Sequence, residues 1–169
     1  MTKTVLALLF AAGLAAAPAC ASAPAGGGQG QMPRLSAGDT LAMCLHRHDA
    51  IDARHACIGE YARACMTLSE GGETTSGMIR CYDEERAVWD ARLDAAYAAL
   101  QGGLPDVAVT ALRDAQRAWI VLRDADCAFR ASLNAGGSPA DVEAAVCLML
   151  ETAERTLVLQ RWQREESAN

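Results

Sequence analysis

Residues 115–127 read AQRAWIVLRDADC and combine the residue types of a long helix with an unusual density of charge. At about 100° per residue, the apolar residues of this stretch and of its flanks fall on one helix face. We predict that this face is a core stripe made of Ala108, Leu112, Ala115, Trp119, Leu122, Phe129 and Leu133. Asp126 falls inside the stripe and Arg123 on its shoulder, so these two charges need partners in the interior.

The preceding segment predicts a second helix with the same peculiarity. Its apolar stripe consists of Met78, Tyr82, Trp89, Leu93, Ala96 and Leu100. Glu85 interrupts this stripe at a height similar to that of Arg123, counted from the turn near Gly103. Because an isolated buried charge costs several kcal/mol, we predict a network of Glu85, Arg123 and Asp126 that fixes the register of the two helices. The alternative is that Glu85 and Asp126 form an acid–base pair acting on a glycan, although no histidine or serine accompanies them.

Turn sequences divide the rest of the chain into helices. No run has the Val/Ile/Thr alternation of a strand, whereas Ala, Leu, Arg and Glu dominate. Turns are predicted near Asp49 and at 69–73, 101–106 and 134–141, and the two longest helices, 75–101 and 105–134, form an antiparallel hairpin. The predicted fold is all-α, a disulfide-clipped antiparallel bundle of about five helices.

Residues 1–23 have the layout of a secretory signal peptide: Lys3, an apolar run and then the small residues APACASA. The apolar run is shorter than the ~20 residues of a spanning helix, so we predict an exported protein of the periplasm or outer envelope without a membrane span. Cys20 is a candidate site for a lipid anchor. Residues 24–38 are rich in Gly and Pro and predict a flexible linker, followed by one domain over 39–169.

The charge balance limits the classes of partner. Lys3 is the only lysine, so removal of the signal peptide changes the net charge from -6 to -7. An acidic protein of this kind is unsuited to nucleic acid and is compatible with a basic protein partner. No pattern in the sequence indicates a cofactor or a catalytic nucleophile with its base.

Six cysteines remain beyond Cys20, and an even number in an exported chain indicates disulfides. Residues equidistant from the turn of an antiparallel hairpin lie at the same height along it. Three pairs of cysteines flank three of the turns almost symmetrically. The predicted disulfides are therefore Cys44–Cys57, Cys65–Cys81 and Cys127–Cys147.

All three histidines, His46, His48 and His55, lie between Cys44 and Cys57. These residue types could bind zinc or copper, and a metal- or small-ligand-binding envelope protein is the alternative function. The spacing matches no zinc-finger pattern, and His46 and His48 point to different faces of a helix. A structural disulfide with surface histidines is the preferred interpretation.

Several runs resemble the LprI-like lysozyme-inhibitor family of bacterial envelope proteins: CYDEERAVWDARLDAAY at 81–97, LRDAQRAWIVLRDADC at 112–127 and ETAERTLVL at 151–159. The core match spans 74–159. The family pattern falls on Cys81, Glu85, Trp89, Asp90, Leu93, Tyr97, Gln116, Trp119, Arg123, Asp124, Cys127, Cys147, Thr152 and Arg155. Asp94 stands where the family has Asn, and residues 35–73 add a cysteine-bearing segment that the pattern does not require.

The resemblance implies a secreted or lipid-anchored helical bundle that inhibits a lysozyme-type protein and is not an enzyme. The positions of the pattern carry over as scaffold rather than as contacts. An acidic, disulfide-clipped protein could be steered to a basic lysozyme by its charge. The carboxylates expected to face such a partner are Asp83, Glu84, Asp90, Asp94, Asp114 and Asp124.

Overall fold

A computed structural model describes residues 36–134 and 136–168. The predicted signal peptide, Cys20 and residues 24–35 of the predicted linker lie outside the described residues. The elements are α1 (Ala37–Arg47), a short 3₁₀ helix (Asp52–Cys57), α2 (Glu60–Leu68), α3 (Thr75–Gly103), α4 (Asp106–Ser132) and α5 (Ser138–Ser167). The predicted all-α class is confirmed, since the described residues contain five α-helices and no strand. None of these helices is long and apolar enough to cross a membrane.

Side chains and small residues fix where the first helices begin. The Ser36 hydroxyl accepts a hydrogen bond from the Asp39 amide at the start of α1, and the Thr74 hydroxyl caps α3 by accepting from the Gly77 amide. Gly77 also allows a close backbone approach, because a Cβ there would lie 2.0 Å from the carbonyl oxygen of Gly71. The turn between α2 and α3 therefore folds tightly over the first residues of α3.

The centre of the bundle is the pair formed by α3 and α5, which are in contact along much of their length. The main core cluster places Trp89 of α3 against Met149, Ala153 and Leu157 of α5, and α1 covers it with Leu41. A second cluster joins Leu93, Ala96, Leu100, Leu112 and Leu159. The predicted hairpin of α3 and α4 differs from the observed packing, because α4 packs mainly on α5 and has few contacts with α3.

The predicted core stripe of α4 is mostly wrong. Leu122, Phe129 and Leu133 are 59%, 62% and 69% exposed. The face that packs on α5 instead carries Leu112, Gln116 and Cys127, which are buried, with Trp119 and Arg123 half-buried beside them. This helix therefore directs a mixed face inward, in which Gln116 and Arg123 meet polar partners that α5 presents.

Three disulfides join the pairs that the turn layout predicts. Cys44–Cys57 ties α1 to the 3₁₀ helix, with a Cα–Cα distance of 5.7 Å. Cys65–Cys81 ties α2 to α3 at 5.7 Å, and Cys127–Cys147 ties α4 to α5 at 5.4 Å. Each bridge closes a loop across one turn, which restricts the unfolded chain more than the folded one.

Candidate partner-binding surface

Glu85 is fully buried, and its carboxylate serves as the N-cap of a neighbouring helix. It accepts hydrogen bonds from the backbone amides of Gly59 at 2.6 Å and Ala62 at 2.8 Å, and from Trp89 Nε1 at 3.0 Å. Gly59 is the N-cap residue of α2, has a positive φ of 78° and carries no side chain that could cap the helix. A carboxylate from α3 therefore satisfies these amides, with the N-terminal end of the α2 dipole favouring its charge.

The predicted network of Glu85, Arg123 and Asp126 is wrong. The donors to the Glu85 carboxylate are the amides of Gly59 and Ala62 and the indole of Trp89, and neither Arg123 nor Asp126 contacts it. Asp126 is exposed on α4, whereas Glu85 is fully buried. The alternative acid–base pair of Glu85 and Asp126 fails for the same reason, since one carboxylate is closed off from solvent and the other lies on the surface.

Arg123 lies at the contact between α4 and α5. Its Nε and Nη2 donate to Asp124 at 2.9 and 2.8 Å, and its Nη1 is 3.5 Å from the hydroxyl of Thr152, which is fully buried. The guanidinium also lies 5.0 Å from the ring centroid of Trp119. Arg123 therefore links α4 to α5.

Arg155 of α5 reaches toward α4 from the other side. Its guanidinium lies between the rings of Trp119 and Trp162, at 5.8 and 5.1 Å, and its Nε donates to Gln116 Oε1 at 2.5 Å. Burial lowers the pKa of Arg155. Its Nη2 is buried without a hydrogen-bond partner among the described residues. The contacts of the guanidinium with the two aromatic rings therefore offset the cost of burying this group.

The histidines are not gathered into one site. A ring nitrogen of His48 lies within 4.8 Å of the sulfurs of Cys44 and Cys57, but those sulfurs are bonded to each other. His55 contacts Glu154 at 2.9 Å, and His46 is exposed. In this oxidised form the segment offers no thiolate ligand, so nothing in its geometry favours the alternative metal-binding function.

The outer face of α3 carries an acidic strip, which we define as Asp83, Asp90 and Asp94 with Arg86 between the first two. The three carboxylates recur at helical spacing, about 130° around α3 from the buried stripe, where Asp83 and Asp90 are half-buried and Asp94 is exposed. Arg86 lies 3.1 Å from Asp83 and 3.3 Å from Asp90, and none of the ion pairs among the described residues includes Asp94. Arg86 is the cation within the strip and Arg123 of α4 acts on Asp90 from outside it, so three carboxylates meet two guanidinium groups and the strip stays net negative.

The environment of Asp90 is the least favourable for charge in this strip. Partial burial raises the pKa of Asp90; the guanidinium groups of Arg86 and Arg123 lower it, and Asp94 raises it again. The carboxylate of Asp94 therefore acts against that of Asp90 on the same face. A cation from a partner protein would relieve this repulsion.

The other carboxylates predicted to face a partner are paired within the protein. Glu84 accepts a short hydrogen bond from the hydroxyl of Tyr61 and lies 3.8 Å from Arg80. Burial and Glu84 raise the pKa of Tyr61 to about 12. Asp114 and Asp124 lie 3.9 and 2.8 Å from Arg117 and Arg123. In the acidic strip, by contrast, Asp83 and Asp90 share Arg86 as their ion-pair partner and Asp94 has no ion pair among the described residues, so the strip is the better candidate surface.

The sequence model of one family, described as "Lysozyme inhibitor LprI", matches residues 65–159, which is more than half of the chain. The chain belongs to the LprI family. This is a family of inhibitors rather than of enzymes. Neither a curated protein nor a solved structure matches the chain.

Most positions of the LprI-like pattern make contacts inside the bundle. The fully or mostly buried ones are Cys81, Glu85, Trp89, Leu93, Gln116, Cys127, Cys147 and Thr152, and Trp119, Arg123 and Arg155 are half-buried around them. Tyr97 is also half-buried and its hydroxyl accepts a hydrogen bond from Gln101 at 3.2 Å. The carboxylates of the pattern that reach solvent are Asp90, which is half-buried, and Asp124, which is exposed; Asp94, where the family has Asn, is exposed too.

The sequence did not point to two residues that matter for these contacts: Arg86, which belongs to the acidic strip, and Gly59, which belongs to the helix cap of Glu85. Arg86 holds Asp83 and Asp90 together, and its spacing of three and four residues from them is a signal that could have identified it. Gly59 positions the amide that Glu85 caps. No local pattern could have linked Gly59 to a carboxylate 26 residues further along the chain.

Proposed function

We propose that this chain is an exported, non-enzymatic protein that inhibits a lysozyme-type enzyme by direct binding, with the acidic strip on α3 as its contact surface. Membership of the LprI family supports an inhibitor-like role. The strip supports the location, because it combines one position of the family pattern, Asp90, with excess negative charge on the surface of α3.

Electrostatics supports the choice of partner. Lysozymes are basic enzymes whose catalytic cleft carries carboxylates. The mature chain, with a net charge of -7 after loss of Lys3, would be attracted to such an enzyme over about one Debye length, roughly 8–10 Å. Complementary charge of this kind raises the association rate and sets orientation more than it adds affinity.

Rigidity supports inhibition rather than transient contact. α3 carries the strip, packs along α5 and is tied to α2 by Cys65–Cys81. Because the strip is held on a rigid helix, binding would cost little ordering of the contact residues. Because the strip lies on the surface of α3, a partner could bind it without displacing a lid or a loop.

The experiment is a cell-wall lysis assay in which a basic lysozyme is titrated with the mature, oxidised chain. The wild type should slow lysis in proportion to its concentration, and Asp90→Asn with Asp94→Asn should raise the inhibition constant at least tenfold, or about 1.4 kcal/mol. The matched control is Glu70→Gln with Glu73→Gln, which removes the same charge from the exposed turn before α3.

The outcomes separate the surface from the net charge. An inhibition constant raised by the strip variant but not by the turn variant supports the proposed contact surface. Equal weakening by both variants would show that only the overall charge matters. No inhibition by the wild type at any ratio would remove lysozyme as the target.

A further inference from the structure

α4 carries a second apolar face, about 120° around the helix from the one that packs on α5. Its residues follow a spacing of four and three, which is the repeat of a coiled-coil seam. We define this outer seam as Ala111, Ala115, Ala118, Leu122, Ala125 and Phe129, all of which are exposed. Leu133 continues the apolar surface beyond Phe129 and is 69% exposed. Large apolar side chains grouped on one solvent-facing helix side are typical of an interaction surface.

We propose that the outer seam binds the outer seam of a second copy of this chain, in an antiparallel arrangement about a two-fold axis beside residue 120. In this register each seam residue faces one residue of the other copy. Ala118 faces Leu122, Ala115 faces Ala125, and Ala111 faces Phe129. In heptad terms, Ala115, Leu122 and Phe129 are a positions, and Ala111, Ala118 and Ala125 are d positions. Every facing pair therefore couples an a position with a d position, as antiparallel coiled coils require.

The sizes of the side chains support this register. The small residues occupy the first half of the seam, and the two large ones, Leu122 and Phe129, occupy the second half. The antiparallel two-fold places each large side chain against an alanine, which fills space evenly. In a parallel, in-register pair, Phe129 would face Phe129 and Ala118 would face Ala118. The facing phenylalanines would hold the two helices apart and leave voids between the facing alanines.

A groove beside Ala111 adds a second observation. This mainly apolar groove, of about 290 Å³, is lined by Ala111 and Ala115 together with Leu100 of α3, Leu104 of the turn that follows it and Trp162 of α5. In the proposed register Phe129 of the second copy arrives at Ala111, at the edge of this groove. An exposed aromatic side chain and an open apolar groove thus meet across the interface in both directions.

Other occupants fit the outer seam less well. Residues 24–35, PAGGGQGQMPRL, contain few large apolar side chains that could cover it. The charges flanking the seam, Asp114 and Asp126, would repel an anionic bilayer, which prefers a helix flanked by Lys and Arg. A second copy of the chain supplies the complementary sizes without any further assumption.

The expected dimer is weak and reversible. The seam from Ala111 to Phe129 is about 27 Å long, and α4 as a whole is about 40 Å long. At a width of about 10 Å, the helix offers roughly 400 Å² of footprint per copy, against about 800 Å² in a stable interface. Sedimentation velocity over a range of concentrations should therefore show a monomer that converts to a dimer as concentration rises.

Two substitutions and a matched control test the surface. Leu122→Glu and Phe129→Glu should each raise the dimer dissociation constant at least tenfold, since each buries a carboxylate at the seam. Leu68→Glu changes a similarly exposed leucine on α2 and should leave the dimer dissociation constant unchanged. Circular dichroism checks that each variant is folded. A chain that stays monomeric at all concentrations, or a dimer that Leu122→Glu does not weaken, would overturn the proposal.

Cysteine cross-linking tests the register. Ala115 and Ala125 are about 15 Å apart within one helix, too far for a disulfide in the same chain. In the antiparallel dimer they face each other, so Ala115→Cys combined with Ala125→Cys should give a covalent dimer under mild oxidation. Ala115→Cys alone should not, because the two copies of residue 115 are then about 15 Å apart. Cross-linking of the single variant would indicate a parallel pair and contradict this register.

Discussion

α3 and α4 have nearly the same length, 29 and 27 residues, and share one turn, but α3 buries most of its apolar side chains whereas α4 leaves most of its large ones in solvent. α3 buries an apolar stripe that includes Trp89 and Leu93. α4 buries Gln116 and leaves Leu122, among other large apolar side chains, in solvent. α3 packs along α5 and also contacts α1 and α2, whereas α4 packs almost only on α5.

The difference shows that the neighbours of a helix decide which face it buries. α5 presents Thr152 and Arg155 toward α4, and these need hydrogen-bond or aromatic partners. Gln116, Trp119 and Arg123 supply them. No helix of the described residues covers the apolar face of α4, so this face is open to the proposed second copy.

The largest expected effect concerns the carboxylate on α3. Glu85→Ala leaves two buried backbone amides and Trp89 Nε1 without an acceptor, so it should lower the free energy of unfolding by about 3–5 kcal/mol. Denaturant unfolding of the oxidised protein measures this loss. The control Asp94→Ala, on the same helix but exposed, should change it by less than about 0.5 kcal/mol. A small loss for Glu85→Ala would show that its capping role is minor.

The second effect concerns the attachment of α4. Cys127→Ser with Cys147→Ser opens a loop of 20 residues and should cost about 3 kcal/mol. Because α4 has few contacts besides those with α5, amide hydrogen exchange should speed up in α4 while the amides of α3 stay protected. Uniform loss of protection in both helices would contradict this difference between them.

The third effect concerns the polar interior of α4. Gln116→Leu makes the buried face of α4 more apolar but removes the acceptor of the Arg155 Nε. It should therefore destabilise the fold by about 1–3 kcal/mol, contrary to a simple hydrophobic expectation. Thermal unfolding measures it, with Gln101→Leu on the exposed end of α3 as the control. Stabilisation by Gln116→Leu would show that the α4–α5 contact does not depend on this hydrogen bond.

The smallest effect concerns Asp90 in the acidic strip. Its pKa is raised in the folded state, so the folded protein holds the proton more tightly than the unfolded chain. The wild type should lose stability relative to Asp90→Asn as pH rises from the ordinary aspartate pKa through the raised one. The difference should stay within about 0.5 kcal/mol, since the group is half exposed and solvent screens it. Stability curves that run parallel between pH 3 and 7 would argue against the raised pKa of Asp90.

Much of the fold could be predicted from the sequence, because turns and helical periodicity are local. The turn layout predicted which cysteines pair, and the 3.6-residue period predicted the buried stripe of α3 around Trp89. The same arithmetic failed for α4, since periodicity finds an apolar face but cannot tell whether another helix covers it. The partner of Glu85 was missed because it is the backbone of Gly59, which has no side-chain signal.

The candidate surface was predicted only in part. Asp83, Asp90 and Asp94 were expected to face outward, but Glu84, Asp114 and Asp124 were grouped with them. The sequence does not show which carboxylates have a cation within reach in the folded chain. The structure sets Asp94 apart, because it has no ion pair among the described residues, whereas the other five carboxylates each have one.

One pair of identical substitutions tests most directly whether α4 leaves its apolar face outside. Leu93 of α3 is 8% exposed and Leu122 of α4 is 59% exposed, and both are leucines on the stripes expected from periodicity. At a concentration where the chain is monomeric, Leu93→Ala should lower the free energy of unfolding by about 2–4 kcal/mol, and Leu122→Ala by less than about 0.5 kcal/mol. Equal losses of more than about 2 kcal/mol for both would mean that Leu122 is buried within one chain, and would contradict the account.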